Sequence, residues 1–223
     1  MASEEDALRT VRTISVQMMA PTLVGRHVIQ SQLVRRGSSM STWSAVVHDE
    51  SGSVVASMIA IVGAPRGDVR TYDGLAWGTV SAPVVPPQDH LERAPSGPPA
   101  PGFMQQLDLR PVSGIPCTGE PPAAVGWLGL IEPPTPSAAL LLALVDAWWP
   151  ASLPMLVDMP RIATVNFSAN LLVDPATVRA GDPFLLESFV AAAEAGFASE
   201  HRRLWTVDGR LAVDNLQTMA IGG

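Results

Sequence analysis

Three polar side chains stand where this sequence otherwise builds core. Residues 141–150 read LLALVDAWWP, so Asp146 closes a run of Ala, Leu and Val that starts just after Ser137. An ionised carboxylate in apolar surroundings is costly unless it is paired, hydrogen-bonded or protonated. In RIATVNFSANL (161–171), alternation puts Ile162, Thr164, Asn166 and Ser168 on one face and Ala163, Val165 and Phe167 on the other. In LAVDNLQTMAI (211–221), Asn215 and Gln217 interrupt an apolar stripe of Leu211, Val213, Met219 and Ile221. A buried amide needs partners for both its N–H and its C=O. A carboxylate can take a proton from water, and a hydroxyl and an amide can aim that water without competing for its charge. Each residue also has a plain structural explanation. Asp146 would face an exposed strip or a polar pocket near Pro150, Thr164 would head a solvent-facing row, and Gln217 would bond to backbone.

Composition narrows the chemistry. The chain has 223 residues, a net charge of −7 and only 16% charged side chains, which excludes the basic surface that nucleic acid requires. The pairs Arg35–Arg36 and Arg202–Arg203 read as solvated strand ends. The single cysteine, Cys117, cannot form an internal disulfide and reads as a bystander. The four histidines, His27, His48, His90 and His201, have no metal-ligand spacing, so no metal or cofactor is expected. There is no G-x-S-x-G elbow and no phosphate-cradling loop. The longest apolar run, Ala138–Val145, is too short to span a membrane, and the acidic start MASEEDALR is no signal peptide. A soluble cytoplasmic protein is the expectation.

The elements that must position the three residues are mostly strands. Residues 13–21, 27–37, 41–50 and 53–63 are β-branched or alternating runs, with DESGS (49–53) as a hairpin turn. Residues 103–112 and 123–133 are two more. Thr135 as N-cap and Pro136 in the first turn predict a helix that Pro150 stops, buried all round because it is apolar all round. Strands at 161–171, 183–193, 198–207 and 210–221 follow, with VDGR (207–210) as a hairpin turn. Fourteen of the 21 prolines fall between Pro83 and Pro136, and 84–102 reads as a linker or long loop.

The two parts look alike. TISVQMMAP resembles TVNFSANLL (164–172), and HDESGSVVASMIAI (48–61) resembles TVDGRLAVDNLQTMAI (206–221). An internal duplication follows, each unit a helix cradled by an antiparallel sheet. The position comparable to Gln217 in the first unit is Ala60. The expected organisation is an incomplete N-terminal unit at 1–64, a Pro-rich linker at 65–102 and a complete C-terminal unit at 103–223. The first unit lacks room for its own helix and first strand, and SEEDALR could be the last turns of such a helix, with Ser3 as its cap.

An Asp on an apolar helix, then IATVNFSANL, then WTVDGRLAVDNLQ, resembles the second half of the bacterial acyl-CoA thioesterase II family. The resemblance implies an α+β double hotdog in which the hydrolytic water is held by an Asp on the second helix, a Thr on the next strand and a Gln on the last. LVDAWWP carries the Asp as Asp146, RIATV the Thr as Thr164, and DGRLAVDNLQ the Gln as Gln217. It implies an acyl-CoA or acyl-carrier thioester as substrate, cleaved without a metal. Trp148 and Trp149 read as packing, with one of them lining the acyl pocket. The oxyanion would need backbone donors. A homo-oligomer is expected, because an uncovered sheet face or edge is a liability. The rival reading is an acyl-binding or scaffold protein that kept the hotdog shell.

Overall fold

The computed structural model describes residues 9–64, 80–97 and 100–222. Among these residues, ten strands form one fully antiparallel sheet in the order β2-β3-β4-β1-β7-β10-β9-β8-β6-β5. The first group is β1 (Thr10–Met18), β2 (Val28–Arg36), β3 (Met40–His48) and β4 (Val54–Gly63). The second is β7 (Arg161–Leu171), β8 (Phe184–Glu194), β9 (Phe197–Trp205) and β10 (Leu211–Gly222), with β5 (Leu107–Ser113) and β6 (Ala123–Leu130) extending it beyond β8. The two groups repeat one order, β1-β4-β3-β2 against β7-β10-β9-β8, as the internal likeness predicts. They join where β1 runs antiparallel to β7, with Ser15 opposite Ser168 and their hydroxyls 3.3 Å apart.

The faces of the sheet differ in chemistry. Ser15, Gln17, Ser44, Ser57, Ser168 and Thr218 share one face through the paired registers. Ile14, Val16, Trp43, Ala45, Met58 and Ala60 share the other, and it continues through Phe167, Ala169, Asn215 and Gln217. The second face carries the single α-helix among the described residues, α1 (Ala138–Asp146), packed on β9 and β10. The segment SEEDALR lies outside the described residues except for its Arg9.

Helix α1 departs from expectation at both ends. Its N-cap is Ser137, not Thr135: the Ser137 hydroxyl accepts from the Leu140 N–H at 3.1 Å. Pro136 therefore precedes the helix instead of opening it. The helix ends at Asp146, before Pro150, and only Leu141, Leu144 and Val145 are buried. That spacing is one face of a helix, and each such side chain contributes about 1.5–3 kcal/mol. Ala139 and Ala143 lie on the exposed side. Full burial is not required because alanine costs little there.

The proline-rich stretch is packed against the second group of strands. The Ala94 N–H donates to Leu109 O at 2.7 Å along the edge of β5, and the Trp127 indole donates to Pro86 O at 2.9 Å. Arg110 reaches Leu91 O at 2.9 Å. Pro111 fits because β5 is an edge strand with a register shift at that point. At the β9–β10 turn the Thr206 hydroxyl, and then Arg210, hold the Asp208 carboxyl below the ordinary carboxylate range.

Candidate active site

Helix α1 delivers Asp146 to the sheet at its last residue. The carboxylate is not buried as expected: its side chain is 48% exposed, because the helix stops there and the side chain leaves at a cavity wall. The Gln217 Nε2 donates to Asp146 Oδ1 at 2.8 Å. The same Nε2 donates to Asn215 Oδ1 at 3.1 Å, and Asn215 Nδ2 donates to Ser168 O at 2.9 Å. These bonds fix which way the Gln217 amide points: two acceptors face its nitrogen, so its oxygen is left for Thr164. The Thr164 hydroxyl lies 3.2 Å from Gln217 Oε1 and 3.4 Å from Met219 Sδ, and the amide oxygen is the better acceptor. All three residues singled out in the sequence therefore meet at one place. Gln217 is fully buried, and Asp146 Oδ2 accepts no hydrogen bond among the described residues.

Thr164 reaches this place by a route that strict alternation misses. In the β7–β10 pairing, Asn166 opposes Thr218 but Thr164 opposes Met219, so Val165 is an extra residue in a bulge. The bulge reverses the alternation. Phe167 and Ala169 point to the helix side below it, and Thr164 points to the same side above it, beside Gln217 and Met219. Asn166 and Ser168, expected to share the Thr164 face, lie on the opposite one. A bulge beside a site commonly re-aims a side chain in this way.

Asp146 and Thr164 face a cavity of about 970 Å³. Trp148, Trp149, Ile162 and Met219 line it beside Asp146 and Thr164. Part of its wall is the stretch read as a linker, through Glu92, Arg93, Ala94, Pro95, Gly97, Ala100 and Pro101, and Phe103 and Met104 continue it. Trp148 is 3% exposed and belongs to the core, while the Trp149 indole donates to Gly114 O at 2.8 Å. Cys117, a half-buried free cysteine, also lines the cavity. Among the described residues no group of His, Cys, Asp and Glu could hold a metal, and no helix is long and apolar enough to cross a membrane.

Two residues were missed. Arg202, expected at a solvated strand end, is 1% exposed, and Glu200 is fully buried. They pair at 2.7 Å beneath the end of α1, and Arg202 Nη1 lies 3.8 Å from Asp146 Oδ1. The signal was available in FASEHRRLW: Ala198, Glu200, Arg202 and Leu204 share one parity, and Ala198 and Leu204 are apolar. Two opposite charges on a core-facing row imply a buried pair. Arg203, on the other parity, does meet solvent and pairs with Glu187 at 3.3 Å. Arg35 and Arg36 lie at the exposed end of β2.

Comparison with known proteins agrees with this architecture. Residues 83–221 match the family model of the acyl-CoA thioesterase C-terminal domain, well over half of the chain. The fold is similar to that of a conserved protein of unknown function with a hot dog fold from Alicyclobacillus acidocaldarius (TM-score 0.84, 23% identity, covering 96% of this chain and 79% of that one). It is also similar to the acyl-CoA thioesterase II TesB2 from Mycobacterium marinum (TM-score 0.77, 18% identity, 97% of this chain and 82% of that one). The tesB protein MAP1729c from Mycobacterium avium subs paratuberculosis shares it too (TM-score 0.73, 10% identity, 97% and 80%). The sequence matches no curated protein. On the family match and the shared fold, the chain belongs to the acyl-CoA thioesterase C-terminal domain family: it is a double-hotdog thioester hydrolase.

Proposed function

We propose that the protein hydrolyses acyl-CoA thioesters with a water molecule activated by Asp146. The observation that carries this reading is the meeting of Asp146 and Thr164, on the wall of a large, mainly apolar cavity, with the buried Gln217 that hydrogen-bonds to both. In the proposed step, Oδ2 of Asp146 takes a proton from water as the water oxygen bonds to the thioester carbonyl carbon. The tetrahedral intermediate expels the thiolate of CoA, and the proton held by Asp146 returns to that sulfur. Gln217 leaves Oδ2 for water by binding Oδ1. The Thr164 hydroxyl donates to Gln217 and offers its lone pairs to the same water. The acyl chain would lie among the apolar side chains, away from the bulk water that competes with ordered attack.

The test is release of free thiol from acyl-CoAs of increasing chain length, with Thr164→Val and Gln217→Leu beside the wild type. Wild-type turnover is expected, with kcat reduced about tenfold or more in Thr164→Val and further in Gln217→Leu, since each removes an aimed polar group. Gln217→Leu should also weaken the fold, because it leaves Asn215 Oδ1 buried without its donor. A wild type that binds acyl-CoA but hydrolyses none across the panel would favour the acyl-binding reading.

Self-association belongs to the same reading. β2 is exposed along its whole length, including Val28, Ile29, Leu33 and Val34, and it ends the sheet with no strand beyond it among the described residues. Light scattering is expected to give at least twice the 23.5 kDa chain mass. A monomer at assay concentration would dismiss the idea.

A further inference from the structure

The Glu200–Arg202 pair has no part in the step described above, yet it grips the segment that carries the base. Arg202 Nη1 donates toward three carbonyl oxygens: Val145 O at 3.3 Å, Asp146 O at 3.0 Å and Trp148 O at 3.1 Å. The first two belong to the last turn of α1, which leaves them without helical partners, and the third lies two residues past its end. A cation there also meets the negative end of the helix dipole. Arg202 Nε donates to Glu200 Oε1 at 2.7 Å, and Glu200 Oε2 accepts the Ala151 N–H at 2.9 Å. One buried ion pair therefore holds the chain at both ends of 145–151. Asp146, Trp148 and Trp149 all lie in that stretch.

We infer that Arg202, oriented by Glu200, is a positioning residue for hydrolysis: it fixes the turn after α1 so that Asp146 faces Gln217 and Thr164. The inference rests on the reading of Asp146 as the base. Stability alone explains the pair poorly, since a buried ion pair is commonly no better than apolar residues of the same volume. Position explains it directly. The Asp146 side chain is 48% exposed to the cavity and is held from the sheet by one hydrogen bond, from Gln217. Without the clamp the last turn of α1 can fray, and the carboxylate can turn toward solvent. Misplacement by about 1 Å can cost about a hundredfold in rate.

The experiment compares Arg202→Met, Arg202→Lys and the double variant Glu200→Gln/Arg202→Met, each measured for kcat and KM on acyl-CoA after its folded fraction is set by thermal melting. The double variant leaves no buried charge unpaired and is the guard against simple unfolding. In both Met-containing proteins kcat is expected to fall about tenfold or more, with KM within about threefold, the pattern of a contact that matters in the transition state. Arg202→Lys keeps a cation under the carbonyls and is expected to recover part of the loss. A folded double variant with wild-type kcat would overturn the inference and leave the thioesterase reading intact. The inference is equally overturned if activity in every variant simply tracks the folded fraction. A wild type inactive on every acyl-CoA would remove both readings together.

Discussion

Asp146→Asn is expected to lower kcat at least about a hundredfold while leaving KM and the melting temperature close to those of the wild type. The asparagine oxygen can still accept from Gln217 Nε2, so the bond now at 2.8 Å survives the change. What is lost is the second oxygen. In its place stands an amide nitrogen that has no proton affinity near neutral pH and cannot take a proton from water. The cost to the fold is small, because the side chain is half exposed and its approach to Arg202, at 3.8 Å, is long for an ion pair. Asp146→Ala removes the acceptor as well and leaves a buried Gln217 N–H without its carboxylate, so it should be both slower and less stable. The comparison separates lost chemistry from lost structure. The assay is thiol release under saturating and sub-saturating acyl-CoA. Equal turnover by wild type and Asp146→Asn would eliminate the general-base mechanism.

Much of the fold is legible in the sequence because its strands obey simple alternation between strong turn signals. β7 falls on Arg161–Leu171 as expected, and the other strands lie within a few residues of their predicted bounds. The Asn215–Gln217–Met219 row of β10 faces the helix as its apolar stripe requires. Two features escape that logic. The bulge at Val165 has no compositional mark, since RIATVNFSANL reads equally well as an uninterrupted strand. Only the need to put both Phe167 and Thr164 under the helix reveals it. Arg202 was lost for a different reason: it sits in the doublet HRRL, where adjacent charges look like a solvated end. In a strand, neighbouring residues face opposite sides, so a doublet always sends one member inward unless the strand has ended. The proline-rich stretch misled through composition. It holds no strand or α-helix among its described residues and takes a 3₁₀ turn at Gln88–His90, yet its side chains pack as a cavity wall.

Gly126→Ala should damage the fold and the site together, through Trp148. Gly126 lies on β6, buried beneath the Trp148 indole. A Cβ at this position would sit 2.4 Å from Trp148 Cη2, 2.7 Å from Arg110 O and 2.9 Å from Pro111 Cα. Two effects oppose each other. Replacing a strand glycine by alanine gains about 0.5–1 kcal/mol of backbone entropy. Overpacking a filled core costs about 1–3 kcal/mol, and here two of the three contacts are backbone atoms that cannot swing aside. The steric cost is expected to win, lowering the melting temperature by about 2–4 °C per net kcal/mol. The catalytic loss should exceed what stability predicts, because Trp148 is bonded through its carbonyl to Arg202 and follows Asp146 by two residues. An indole pushed outward drags that turn with it, so kcat is expected to fall about tenfold in protein that is still folded. Trp148→Phe supplies the check. It deletes the Cη2 atom nearest the new methyl, so in the Gly126→Ala background it should restore part of both activity and stability. In the wild-type background the same change opens a void and costs stability instead. Opposite signs in the two backgrounds would show that Gly126 is there to seat the tryptophan. Strictly additive losses would mean that the strain runs through β5, at Arg110 and Pro111, and not through the turn that carries Asp146.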